Sequence, residues 1–218
     1  MANKAIIAGS SGLIGSNLLD ILLHEPFYDE VLILVRKELP VKHHKLTQLV
    51  VDFDQLDAYK AHLTGHALFC CLGSTKAKTP DKVVYRAIDH DYPLQLAQLA
   101  FENGVKQYHL VSSIGANAAS STFYLKTKGE TENDLQKIGF SSMYIYRPSF
   151  LTGNRKENRP TERFVHALFK IIEPLLFGGL KKYRSIPGAT VAAAMYKQST
   201  QNTTGLFIYE SDKIKQLS

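Results

Sequence analysis

The segment Tyr124-Leu125-Lys126-Thr127-Lys128 places a phenol and an ammonium four residues apart. On a helix both would lie on one face, one turn apart. A cation so placed favours the phenolate form. Such a tyrosine can hand a proton to a carbonyl oxygen while hydride arrives at the carbon. The spacing alone is weak evidence. In a chain of 218 residues with 11 tyrosines and 19 lysines, about one such pair arises by chance. Tyr209 and Lys213 repeat it near the C-terminus. Position separates the two pairs, because Tyr124 opens the helix expected after a fifth strand. Ser112-Ser113 end that strand. A serine there can hydrogen-bond a reacting carbonyl, or be an ordinary strand-end hydroxyl, and the residues alone do not choose between the two.

A second constellation is a phosphate cradle. Gly9-Ser10-Ser11-Gly12-Leu13-Ile14-Gly15 lies between an expected strand and an expected helix. In such a loop Gly9 permits the tight turn, Gly12 lets the backbone approach a pyrophosphate, and Gly15 allows close helix packing. The helix N-terminus then offers unpaired N–H groups to the phosphates. The second strand ends in Arg36-Lys37 rather than the carboxylate of a typical NAD site. Two cations suit a 2′-phosphate, so NADP(H) is expected over NAD(H), with Glu38 as the contrary signal. Asp52 after the third strand is either an acceptor for an adenine amino group or a helix N-cap. Leu72 and Gly73 follow the fourth strand at the edge where ligands of such folds bind.

These residues need a frame to hold them. Strands are expected over residues 4–8, 30–35, 46–51, 67–71, 107–111 and 142–146. Helices are expected over 13–23, 55–63, 81–101 and 121–137, with a break at Pro93, which lacks an N–H. Gly104 is the expected cap of the helix before it. The β-α alternation with nearly continuous apolar strands implies an α/β fold. It is a doubly wound parallel sheet of the Rossmann type with helices on both faces. Residues 1–218 read as one domain, with 1–150 as the dinucleotide-binding core and 151–218 as a small C-terminal α-rich lid. That last part carries an expected apolar helix over 161–172, a basic stretch Lys181–Arg184, a helix over 191–198 and a short strand over 206–209.

Composition excludes other classes. Apolar residues make up 44% and charged residues 21%, which is ordinary globular usage rather than disorder or coiled coil. No stretch reaches the roughly 18–20 apolar residues of a spanning helix, and no secretory signal is evident. The two cysteines, Cys70 and Cys71, are adjacent. They cannot form an unstrained disulfide or a zinc site, which points to a reducing compartment and a cytoplasmic location. No metal is expected, because His62 and His66 lack a third ligand. The net charge of +6 is read as serving a small anionic cofactor rather than nucleic acid. A small-molecule substrate is implied. The apolar helix at 164–172 covers a substrate pocket or packs on the sheet, with a dimer face, a membrane contact or a regulatory protein partner as the alternatives.

Taken together, the glycine loop, the serine after the fifth strand and Tyr-x-x-x-Lys resemble the short-chain dehydrogenase/reductase superfamily. Cys70-Cys71-Leu72-Gly73-Ser74-Thr75, Asp89-His90-Asp91-Tyr92, Val111–Ala116, Lys128-Gly129-Glu130, and Arg147-Pro148-Ser149 with Arg155 and Arg159-Pro160 are similar to its atypical branch. That branch includes the Tat-interacting oxidoreductase-like proteins. The resemblance implies Tyr124 as general acid/base and Lys128 as the residue that holds the cofactor ribose and tunes Tyr124. Ser113 is implied as the substrate-orienting serine. It also implies that Ser11, Gly12, Leu13, Ile14, Arg36, Lys37, Leu72, Gly73, Leu151 and Arg159 lie against the dinucleotide. The chain departs from the superfamily pattern in lacking a well-placed relay asparagine. The activity so implied is NADPH-dependent hydride transfer to a carbonyl. The alternative is an NADPH-binding redox sensor that acts through a partner.

Overall fold

The structure, a computed structural model, describes residues 3–153 and 176–218. Its centre is a sheet of seven strands in which every pair is parallel. In chain order the strands are β1 (Lys4–Ala8), β2 (Glu30–Val35), β3 (Leu46–Val50), β4 (Ala67–Cys70), β5 (Gln107–Val111), β6 (Ser142–Arg147) and β9 (Gly205–Glu210). In space they run β3-β2-β1-β4-β5-β6-β9. The order reverses at β1, which pairs with β2 on one side and β4 on the other. This reversal opens a crevice at the carboxyl end of the sheet.

Alternation along each strand builds two cores. On one face Ala5, Ile7, Ile33, Phe69 and Tyr144 pack under α1 (Leu13–His24), α5 (Gly188–Ser199) and α6 (Ser211–Leu217). On the other face Ile6, Ala8, Leu34, Leu68 and Ile145 pack under α3 (Tyr92–Glu102), the 3₁₀ segment Phe53–His62 and the Leu135 end of α4 (Phe123–Gln136). Both faces of β1 are fully buried, which is why its sequence shows no polar alternation.

Three expectations change. First, residues 188–210 are not lid. Helix α5 packs on α1 in the core, and β9 hydrogen-bonds to β6 as a seventh strand. The core therefore does not end at residue 150. The β9 register is pinned by Ser142 Oγ donating to the Thr203 carbonyl at 2.5 Å and by Gly205 N–H donating to Ser141 O at 2.8 Å. Second, the break at Pro93 takes the form of a π turn, Ala87–Asp91, between the short α2 (Lys82–Arg86) and α3. Pro93 has no N–H for the Asp89 carbonyl one turn back, which accepts the Thr131 hydroxyl instead. Third, a two-stranded pair, β7 (Leu151–Thr152) with β8 (Ile186–Pro187), was not expected. The basic stretch forms part of a 3₁₀ turn, Gly178–Tyr183, in which Lys182 pairs with Glu210 at 3.1 Å. The apolar helix expected at 161–172 lies outside the described residues.

An aromatic row crosses the sheet. Phe69, His109, Tyr144 and Phe207 are successive cross-strand partners on β4, β5, β6 and β9. Their rings stack at 4.6, 4.4 and 5.0 Å. His109 is wholly buried, with Nδ1 3.2 Å from the Tyr146 hydroxyl and Nε2 3.3 Å from Gln107 Oε1. Burial, reinforced by His66, holds its pKa well below the ordinary value. It therefore stays neutral in the fold, while an unfolded chain binds a proton below about pH 6.5. Between those two pKa values the unfolded state carries the extra proton, so stability falls as pH falls. The urea midpoint is expected to drop on acidification from about pH 7 to pH 5. In His109→Phe, which keeps a ring in the stack, that drop is expected to shrink.

Candidate functional site

The crevice at the β1/β4 reversal is a cleft of about 600 Å³. Its first wall is the glycine loop. Gly9 has φ +87°, and a Cβ there would stand 2.6 Å from the Cys71 carbonyl carbon. The turn after β1 is thus pressed against the chain leaving β4. A Cβ on Gly15 would meet the Gly9 carbonyl oxygen at 2.2 Å, so α1 is packed tightly onto the turn. Gly12 differs, since its Cβ would meet only that same oxygen, at 3.3 Å. Packing within the protein requires glycine at 9 and 15, and Gly12 is the least crowded of the three. No side chain caps α1 and no acidic residue stands in its first turn. Its orphan N–H groups and positive dipole end are open to an anion.

The second wall comes from the β4 exit and α4. Leu72, Gly73, Ser74, Thr75 and Lys78 line it, together with Tyr124, Lys128, Asp89 and Leu151. Tyr124, 37% exposed, is in the first turn of α4, and Lys128 is one turn deeper and 4% exposed. A Cβ on Gly129 would stand 2.2 Å from Ala118 N and 2.3 Å from the Asn117 carbonyl carbon. The glycine after Lys128 therefore lets the helix seat against that loop. Lys128 Nζ is 2.9 Å from Asp89 Oδ1, and Asp89 Oδ2 accepts the Ser74 N–H at 2.7 Å. A second buried carboxylate, Glu132, takes Arg147 Nε at 3.0 and 3.2 Å and also binds the Ser112 hydroxyl. It ties α4 to the ends of β5 and β6. The Glu132 hydrogen bond is the main cause of the raised Arg147 pKa. Cys71 also faces the cleft, but burial pushes its thiol pKa far up, so it is a poor nucleophile.

Among the residues singled out by the sequence, Ser11, Gly12, Leu13, Ile14, Leu72, Gly73, Tyr124, Lys128 and Leu151 converge on the cleft. Others do not line it. Arg36 and Lys37 are exposed directly after β2, just before Leu39, Pro40 and Val41 of the wall. Asp52 is occupied as an N-cap, accepting from Asp54 N–H at 3.0 Å and Gln55 Nε2 at 3.2 Å. Of its two readings, the structure realises the cap. The wall serine is Ser112 rather than Ser113. The chain turns at Ser113, whose carbonyl accepts the Ala116 N–H at 3.1 Å. Its own hydroxyl makes one local bond, to the Ile114 carbonyl at 3.3 Å. Arg155 and Arg159 lie outside the described residues. Sequence reasoning missed Asp89 and Glu132 as site residues, although Asp89 stood in a quoted motif. The missing signal was the π turn, which no hydrophobic periodicity announces.

The cleft fits a dinucleotide on its own chemistry. Ser10 Oγ and Thr75 Oγ1, from residues in its walls, are buried without a hydrogen-bond partner among the described residues. A Cβ on Gly73 would stand 3.5 Å from Asp89 Oδ1 and 3.7 Å from Lys128 Nζ. The backbone thus lies flat across the ion pair, with no side chain to block a ligand.

Comparison with known proteins agrees with this geometry. The fold resembles WbmH of Bordetella bronchiseptica, solved in complex with NAD+, with a TM-score of 0.74 at 16% identity over 98% of this chain and 78% of that one. A UDP-glucose 4-epimerase of Thermotoga maritima matches with a TM-score of 0.70 at 14% identity, over 98% of this chain and 81% of that one. Such low identities establish the fold alone. Sequence relatives are nearer. Protein HTATIP2 of Rattus norvegicus is 35% identical over 200 residues, covering 89% of this chain and 81% of the rat protein. Protein FMP52, mitochondrial, of Coccidioides immitis is 33% identical over 207 residues, covering 89% and 84%. The mitochondrial names of this and other fungal relatives overturn the expected cytoplasmic location. The cysteine argument fails because it separates oxidising from reducing compartments and says nothing of which reducing one. The HIM1 family model matches residues 43–176. With these relatives and this Rossmann sheet, the chain belongs to the HIM1 family, an HTATIP2-like member of the atypical short-chain dehydrogenase/reductases.

Proposed function

We propose that the protein is an NADPH-dependent oxidoreductase acting on a carbonyl-type small molecule. The observation that carries this reading is the convergence of Tyr124 and Lys128 with the uncapped α1 N-terminus on one cleft. The α1 amides and Ser11 would bind the pyrophosphate, and Gly12 and Gly73 would let the backbone approach it. Lys128 would donate to the ribose hydroxyls. Arg36 and Lys37 are exposed where a 2′-phosphate would emerge after β2. A reduced nicotinamide supplies a hydride when bound. Tyr124 would then give its proton to the carbonyl oxygen, with Ser113 orienting that oxygen. Of the two serines, Ser112 has given its hydrogen to Glu132, while Ser113 holds only a long local bond and can turn.

A second reading is NADPH binding without turnover, as a redox-responsive component that acts through a partner protein. One observation favours it, namely that Ser113 stands outside the cleft wall. The same substitution separates the two readings. Tyr124→Phe is expected to lower the rate of NADPH oxidation across a carbonyl panel by about 10²–10⁴-fold, the usual contribution of a positioned acid. NADPH binding should stay nearly unchanged. Turnover equal to that of the native protein would remove Tyr124 from the chemistry, and no turnover by the native protein would favour the second reading.

The cofactor assignment has its own test. Isothermal titration should show NADPH binding more tightly than NADH. Arg36→Ala with Lys37→Ala should weaken NADPH by about ten- to hundredfold, the scale of charged hydrogen bonds lost, and leave NADH unchanged. Equal weakening of both cofactors would contradict the 2′-phosphate role.

A further inference from the structure

The cleft floor contains a buried ion pair whose acidic member has no role in the reading above. Asp89 is wholly buried and Lys128 nearly so, with Nζ 2.9 Å from Oδ1. Three elements hold the residue. The π turn Ala87–Asp91 carries it, and Ser74 after β4 donates its N–H to Oδ2 at 2.7 Å. Thr131 of α4 donates its hydroxyl to the Asp89 carbonyl at 2.9 Å. A regular helix would turn residue 89 to a different direction, and π turns recur where a side chain is re-aimed at a site.

A lysine at this depth without a counter-charge favours its neutral form. Burial is the largest influence on Lys128 and lowers its pKa. Asp89 is the next, with Tyr124 and Cys70 behind, and together they leave it above the ordinary lysine value. The other groups around Lys128 cannot replace Asp89. Cys70 at the end of β4 and Cys71 just after it are thiols whose pKa burial raises, and Tyr85 on α2 is a phenol whose pKa burial pushes far up. Glu132, one turn further along α4, is closed on Arg147 and Ser112. Lys78, in the loop after β4, has the same sign as Lys128.

We propose that Asp89 is a positioning residue that keeps Lys128 an ammonium and aims it into the cleft, so that the grip on a bound dinucleotide does not loosen as pH rises. The proposal rests on the cofactor reading above for its binding readout. It requires no covalent step and no turnover.

The test is Asp89→Asn. The amide oxygen can still accept the Ser74 N–H, while the atom facing Lys128 becomes an NH2, so the charge and the acceptor opposite Nζ are lost together. In the variant the NADPH Kd, from fluorescence titration, should rise about tenfold between about pH 7 and pH 9.5, as a charged hydrogen bond becomes a neutral one. The native protein and Asp89→Glu, which keeps the charge, should change by no more than about twofold. A second measurement is independent of the cofactor. In protein labelled with 13Cε-lysine, the Lys128 resonance is identified by its loss in Lys128→Arg. It should titrate above the ordinary lysine range in the native protein and well below that in Asp89→Asn. A pH-independent Kd in Asp89→Asn, or an unshifted Lys128 titration, overturns the proposal. If native protein fails to bind NADPH, the cofactor reading falls and the lysine titration alone judges Asp89. If Asp89→Asn does not fold, the native titration decides, and a Lys128 that loses its proton below the ordinary lysine range overturns the proposal.

Discussion

The site depends on one close crossing of backbone. The turn after β1 lies against the chain leaving β4, with no room between them for a Cβ on Gly9, which would stand 2.6 Å from the Cys71 carbonyl. That contact exists because the strand order reverses at β1, which has β4 as its neighbour. Two consequences follow. Helix α1 must start immediately, packed on the Gly9 carbonyl through Gly15, so its N-terminus points into the crevice. The loop after β4 must also cross at the same level, which puts Gly73 over the Lys128–Asp89 pair. The uncapped N-terminus of α1 and the Tyr124–Lys128 pair therefore share one cleft because of sheet topology, before any side-chain chemistry is considered.

Helix α4 brings the remaining chemistry to that crossing, and charge holds it there. Its two inward groups are of opposite sign and each has a partner from elsewhere, the buried Asp89 for Lys128 and the half-buried Arg147 for Glu132. Unpaired, either would be strongly unfavourable in so dry a place. Paired, they fix the depth and rotation of α4 relative to the π turn on one side and the ends of β5 and β6 on the other. Tyr124, one turn nearer the solvent than Lys128, inherits its position from both pairs.

Much of this was legible in the sequence, for definite reasons. Strands β1, β2 and β5 have the expected limits because apolar β-branched and aromatic runs are bounded by polar or glycine-rich turns. The glycine spacing placed the cleft because Gly9 and Gly15 are steric requirements, visible in any sequence that satisfies them. Asp89 and Glu132 were not legible. Their partners lie more than ten residues away in sequence and are joined only by the fold, and a π turn leaves no periodic trace. Strand β9 was underweighted for a different reason. It is an edge strand with exposed Leu206 and Ile208, so it lacks the continuous buried pattern of its neighbours. Asp52 shows the converse, since a residue type suited to a ligand contact is equally suited to a helix cap, and local geometry chose the cap.

The most direct measurement concerns Gly12. A Cβ there would meet only the Gly9 carbonyl oxygen, at 3.3 Å, and is far less crowded than one at position 9 or 15. If the glycine loop cradles the cofactor phosphates, Gly12→Ala should retain a native-like melting temperature and lose at least about tenfold in NADPH affinity, equivalent to about 1.4 kcal/mol. An unchanged NADPH affinity in a folded Gly12→Ala protein would contradict the account.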